Sequence, residues 1–238
     1  MPPEAPGANG AIESFEIERK YEIDDRAELP GLRDLAAIGL SPGAPERHLL
    51  EARYFDTPAG ELGAQRVAVR MRRGGKDEGW HLKEKGPDGA RELLWPLAEE
   101  MPQGLIRELE ARIGPDAPAR IGAIASLRTS RVTVRLRDAE GVELVELADD
   151  RVEASNELTG GRQAWREWEA ELMPGADATV LDRLEPLLVA AGATRVRGTS
   201  KIQRTMSLPP APEMSLPSAT EMPTPPAAQI PIPPSRDA

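Results

Sequence analysis

Charged side chains recur at every second position in several segments of this 238-residue chain, and their signs are sorted. Glu16, Glu18 and Lys20 share one face of residues 15–21, because successive side chains of an extended chain point to opposite sides. The same rule groups Arg70 with Arg72, His81 with Lys83 and Lys85, Arg131 with Arg135, Glu146 with Asp150, and Glu167 with Glu169 and Glu171. The first and the last of these rows are acidic and the middle rows are basic. An antiparallel sheet with one face in water accounts for alternating charge. It does not account for sorting by sign, because like charges in neighbouring register repel. Guanidinium and ammonium groups bind phosphate oxygens, while carboxylates hold hard divalent cations. A polyphosphate chain carrying Mg²⁺ or Mn²⁺ satisfies both kinds of row at once.

Composition narrows the chemistry further. The chain has no Cys and only two His, His48 and His81, so carboxylates are the available metal ligands. Carboxylate-only ligation suits Mg²⁺ or Mn²⁺ and suits zinc poorly. A formal charge of −10 argues against a general nucleic-acid partner, and 3% aromatic residues are too few for a base-stacking platform. No apolar run of about 18 residues is present, and the first ten residues have neither a basic nor an apolar leader segment. The reading is a soluble, cytoplasmic protein without a membrane partner.

The elements that must carry these rows are mainly strands. Period-two alternation runs through residues 15–21, 67–73, 80–85, 92–97, 131–137, 142–148 and 165–172. Helical spacing marks about 27–38, 103–113 and 178–191, the last with Asp177 as N-cap and Pro186 as a kink or early stop. Ten of the 24 prolines lie in residues 207–238. That stretch is expected to be a disordered tail whose spaced prolines also suit groove recognition by a partner. Residues 1–11 are expected to be unstructured as well, leaving a domain at 12–206 with about −7 of the charge. The predicted class is a β-rich α+β fold, an antiparallel sheet of about eight strands with a few covering helices. If the helices cover the apolar outside of a curved sheet, the charged rows point into a barrel. Eight strands leave an interior just wide enough for side chains or one small ligand, and charge there must be paired, solvated or ligand-bound.

With these residues in view, the chain resembles the CYTH superfamily, the triphosphate tunnel metalloenzymes, which includes class IV adenylate cyclases, thiamine triphosphatases and inorganic triphosphatases. The resemblance begins with Glu16-x-Glu18-x-Lys20. It continues in order through Tyr54-Phe55-Asp56-Thr57-Pro58, Val69-Arg70-Met71-Arg72-Arg73, Gly79-Trp80-His81-Leu82-Lys83, Glu146 to Val152, Trp165 to Leu172, and Ser200-Lys201. It implies an eight-stranded antiparallel β-barrel that encloses a charged tunnel and binds triphosphate inside. Carried over by position, Glu16 and Glu18 are metal ligands, helped by Glu169, Glu171 and Glu167, with Glu146 and Asp150 contributing to the metal region. The resemblance does not fix which of Asp149 and Asp150 faces the tunnel. Lys20, Arg70, Arg72, Lys83, Arg131, Arg135 and Lys201 are implied to bind phosphate, and Arg91 is a further tunnel candidate. Glu16, Glu18 and Lys20 form the catalytic signature. Lys85 and Arg137 read as exposed strand ends, and Asp56 as a turn residue. Two departures stand out: Val69 replaces the family's usual Leu, and Glu84 stands where an apolar residue is common. The implied activity is metal-dependent hydrolysis of the terminal phosphoanhydride of inorganic triphosphate or a related organic triphosphate. The alternatives are cyclisation of ATP, and a non-catalytic polyphosphate- or nucleotide-binding module.

Overall fold

The computed structural model describes residues 10–209, so the two expected unstructured ends fall almost wholly outside it, at 1–9 and 210–238. The chain begins with β1 (Ile12–Glu16) and β2 (Glu18–Glu22), followed by α1 (Leu32–Ala37), β3 (Ser41–Pro42) and β4 (Glu46–Asp56). Next come α2 (Glu61–Ala64), β5 (Val67–Arg73), β6 (Gly79–Lys85), β7 (Ala90–Trp95), α3 (Gln103–Ile113) and α4 (Ala117–Arg120). The long strands β8 (Gly122–Arg137), β9 (Glu143–Asn156) and β10 (Arg162–Leu172) precede α5 (Thr179–Ala190), β11 (Thr194–Val196) and α6 (Lys201–Met206).

All the strand pairs are antiparallel, in the order β1-β7-β6-β5-β4-β8-β9-β10-β2-β11. Only Ile17 separates β1 from β2, so one N-terminal strand pairs with β7 through its first half and with β10 through its second. The sheet therefore curls until its ends meet in a single strand. With β1 and β2 counted together, eight strands form the curled wall, and β3 and β11 are short additions. Gly74, at φ 78°, lets the β5–β6 connection pass β4 closely; a β-carbon there would lie 2.2 Å from the Leu49 carbonyl oxygen.

Hydrophobic burial fixes which side of the wall faces in. The outward residues Val67, Val69, Trp80, Leu82, Leu93 and Trp95 pack with Leu62 of α2 and Leu105 and Leu109 of α3. On the other flank Tyr21, Leu147, Trp168 and Ala170 pack with Leu35 of α1 and Val180, Leu181, Leu184 and Leu188 of α5. Each fully buried aliphatic side chain contributes about 1.5–3 kcal/mol. With apolar rows outward under helices, the charged rows are left facing in. A third cluster, with Tyr54, Ile124, Leu127, Val152 and Ala154, fills one end of the interior beneath Ile202 and Met206 of α6.

Several elements differ from the sequence expectation. Strand β4 lies outside the predicted strand segments and ends at Asp56 in the Tyr54–Pro58 motif, and β8 and β9 run well beyond the predicted segments. Helix α1 is shorter than its apolar spacing suggests, because it does not start until Leu32. Pro186 sits inside α5 without ending it, since the buried residues on both sides of it hold the helix to the sheet. The N-cap of α5 is Ala178, although Asp177 Oδ1 accepts from the Thr179 N–H at 2.9 Å.

Candidate functional site

A cavity of about 730 Å³ runs inside the curled sheet. Its wall includes Glu16, Glu18 and Lys20 from the N-terminal strand, Arg70 and Arg72 from β5, and Lys83 from β6. Arg131 and Arg135 from β8, Glu146 from β9, Glu169 and Glu171 from β10 and Lys201 from α6 complete it. Twelve of the residues singled out from sequence thus meet around one space.

Part of this set is internally neutralised. The Lys201 ammonium reaches Asp150 at 2.8 Å, Glu167 at 2.6 Å and Glu169 at 2.7 Å. Arg131 forks onto both oxygens of Asp150 at 2.7 Å and reaches Glu169 at 2.6 Å, and Lys20 also bonds Glu169. Burial alone would raise the Glu169 carboxyl, but Lys20, Lys201 and Arg131 more than offset it and hold it well below the ordinary range. The carboxylates of Asp150, Glu167 and Glu169 lie close enough together for a cation, and Lys201 already supplies one. Asp150 and Glu167 lie behind the cavity wall, paired to this ammonium. Asp150 is the inward member of its pair, while Asp149 points outward to Arg166, with oxygens at 2.8 and 2.7 Å.

The other part is neutralised less completely. Cross-strand register sets Glu18 of β2 opposite Glu171 of β10, and Glu171 opposite Glu146 of β9. Glu146 pairs with Arg135 at 2.7 Å, and Glu18 with Lys20 at 3.1 Å and Lys83 at 3.4 Å. Glu171 has no hydrogen-bond or ion-pair partner among the described residues. Burial, with Glu18, Glu146 and Glu169 around it, raises its pKa despite Lys83. Glu16 lies beside this row in contact with Lys83; burial and a hydrogen bond shared with Glu92 push its carboxyl up to about 8. Glu18, Glu171 and Glu146 are thus neighbours by register, the outer two ion-paired and Glu171 without an ion pair among the described residues, an oxygen-only set of donors. That chemistry fits a hard divalent ion.

Strand β7 corrects one parity. Arg91 faces outward and forks onto Glu13 at 2.6 and 3.0 Å, so it is not a tunnel residue. Its neighbour Glu92, which the sequence reading did not single out, faces in opposite Lys83. Glu92 accepts from Arg70 at 3.4 Å and meets His81 Nδ1 at 3.1 Å, while His81 Nε2 lies 2.9 Å from the Asp77 carbonyl. Burial and the nearby Arg70 bring His81 down to about 4. Lys85 lines the cavity, against its reading as an exposed strand end, whereas Arg137 is an exposed end paired with Glu143. Glu84 points away from the cavity to Arg112 at 3.0 Å. Asp56 is a turn residue, accepting from the N–H groups of Thr57, Leu62 and Gly63.

A curled antiparallel barrel with oppositely charged inner rows around one cavity defines a class of charged-tunnel proteins. The CYTH domain model matches residues 14–206, and the chain belongs to the CYTH family, whose members bind triphosphate-containing substrates. Uncharacterized proteins from two Mycobacterium tuberculosis strains are each 34% identical to it over 223 residues, covering 87% of this chain and 42% of theirs. The chain thus spans less than half the length of these curated relatives. The crystal structure of "a putative adenylate cyclase" from Bacillus halodurans matches 82% of this chain and 99% of its own, with a TM-score of 0.53 at 20% identity, a likeness of fold. Among the described residues no helix is long and apolar enough to cross a membrane.

Proposed function

We propose that this domain hydrolyses the terminal phosphoanhydride of a triphosphate held in the cavity, with a divalent cation. The supporting observation is the row Glu18–Glu171–Glu146, whose central member has no ion-pair partner among the described residues and which adjoins a fixed basic set. Glu18, Glu146 and Glu171, with Glu16 beside them, would hold Mg²⁺ or Mn²⁺. Such an ion supplies charge neutralisation at phosphate oxygens and a bound water of lowered pKa.

The chain's own residues do the rest. Arg70, Arg72 and Lys83 are mostly buried before substrate arrives, so their donors are aimed without reorganisation at the moment of reaction. Arg131 and Lys20 extend this basic wall, each fixed by Glu169. They hold the phosphate oxygens by charge-assisted hydrogen bonds and stabilise charge developing on the bridging oxygen. Water bonds to the terminal phosphorus as the bridging P–O bond breaks, releasing orthophosphate and the shortened phosphate chain. No serine, cysteine or histidine nucleophile is required.

The test offers inorganic triphosphate, thiamine triphosphate and ATP to purified protein with Mg²⁺ or Mn²⁺, and measures orthophosphate and cyclic AMP. Orthophosphate release that disappears in Glu18→Ala, with the fold retained, supports the reading. Cyclic AMP from ATP would replace it with a cyclase, and binding without turnover would replace it with a binding module.

A further inference from the structure

Arg66 occupies a backbone conformation that its side chain disfavours. It is the one non-glycine residue with positive φ among the described residues, at 63°. It follows α2 in a helix-ending turn, its N–H donating to the Gly63 carbonyl at 3.0 Å. Glycine is the usual residue there, because a β-carbon is penalised in the left-handed region. Strain of this kind persists where the surroundings impose it, and it clusters at ligand sites.

The side chain has a place to act. Arg66 lines the cavity, and its guanidinium has no hydrogen-bond or ion-pair partner among the described residues. Its carbonyl accepts from the Lys85 N–H at 3.0 Å, so two cationic side chains spring from adjoining points on one rim. Lys85 lines the same cavity and donates to the Gly198 carbonyl at 3.0 Å. Burial lowers the Lys85 pKa, and repulsion from Lys20, Lys83 and Arg66 lowers it further against the attraction of Glu18. Arg66 is exposed, which puts it at an opening of the cavity, whose lining also includes the apolar Pro58, Ala59, Leu158 and Ile202. The rim therefore presents an unpaired guanidinium beside a lysine crowded by other cations. The complement it lacks is an anion from outside.

We propose that Arg66 is a further substrate-binding residue: its guanidinium takes the oxygens of the phosphate group at this mouth of the tunnel, with Lys85 beside it. The inference rests on the triphosphate reading above and adds an end-specific contact to it. The planar fork of arginine matches two phosphate oxygens at once, which a point charge does not.

Arg66→Gly separates this role from a structural one, because glycine relieves the positive φ. The thermal midpoint of the variant is expected to stay level or rise. Its KM for inorganic triphosphate should rise about tenfold with kcat within twofold, and its Kd for triphosphate in metal-free buffer should weaken alongside. Arg66→Lys should fall between the two. Unchanged KM and Kd in Arg66→Gly would overturn the proposal, and so would a lowered thermal midpoint, which would make the residue structural. If wild type binds triphosphate without hydrolysing it and Arg66→Gly weakens that binding, the Arg66 contact stands while the hydrolase reading fails. Wild type that neither binds nor hydrolyses triphosphate overturns both.

Discussion

The metal-free protein should lose stability as pH rises from about 6.5 to 8, and Glu16 is the reason. Its carboxyl stands at about 8 against an ordinary 4.5, raised first by burial and then by the hydrogen bond shared with Glu92. Above pH 4.5 the unfolded chain has released a proton that the folded chain keeps. Folding then takes up a proton, and stability falls with rising pH until Glu16 ionises near 8. His81 has the opposite sign: held at about 4 instead of 6.5, chiefly by burial, it makes stability rise between those values. From 6.5 upward Glu16 acts without that opposition. The Glu16 side chain is 16% exposed, so solvent screens it little. At about 1.4 kcal/mol per pH unit, the window of roughly 1.5 units amounts to about 2 kcal/mol. For a chain of this size each kcal/mol moves the midpoint by about 2–4 °C, giving a fall of about 4–8 °C. Thermal melts in a chelating buffer at half-unit pH steps measure it. Glu16→Gln should flatten the slope, because an amide does not titrate. Saturating Mg²⁺ or Mn²⁺ should stabilise most at the alkaline end, where the carboxylate is already ionised. A wild-type midpoint that stays flat or rises across the window would refute the reasoning, as would an unchanged slope in Glu16→Gln.

Lys201→Met leaves Asp150, Glu167 and Glu169 without their shared ammonium; it should cost about 3–5 kcal/mol at neutral pH in a denaturant titration, with part recovered in acid. Arg91→Ala should leave KM and kcat for triphosphate unchanged and stability within about 1 kcal/mol, because its pair with Glu13 lies on the outer surface. Leu184→Ala, in the core between α5 and the sheet, should cost about 2–5 kcal/mol by the same titration, with KM preserved in whatever folds.

The inner rows were legible because charge is costly to bury and alternation shows which side of a strand it takes. Glu16, Glu18 and Lys20, like Arg70 and Arg72, keep one parity, and each lies on the cavity wall. Strand β4 was illegible for the opposite reason. Its inward His48, Leu50, Ala52 and Tyr54 alternate with Arg47, Leu49, Glu51 and Arg53, so the adjacent Leu49 and Leu50 blur the period. Alternation also fails where both neighbours are charged. Arg91 and Glu92 are equally fit by type to enter the tunnel, and only the pairing of Glu92 with Lys83 across β6 and β7 chooses between them. Lys201 comes from a helix, so no strand parity could find it, and the resemblance alone pointed to it. Register is the missing quantity in each case, and register also divides the site. Residues 167, 169 and 171 read as three equivalent acids in one row. Their cross-strand partners make the first two anchors for Lys201 and leave Glu171 between Glu18 and Glu146. A net charge of −10 and a phosphate site are therefore compatible. Much of the inward acid is paired to the basic side chains it fixes, and Glu171 is the inward acid left without an ion pair among the described residues.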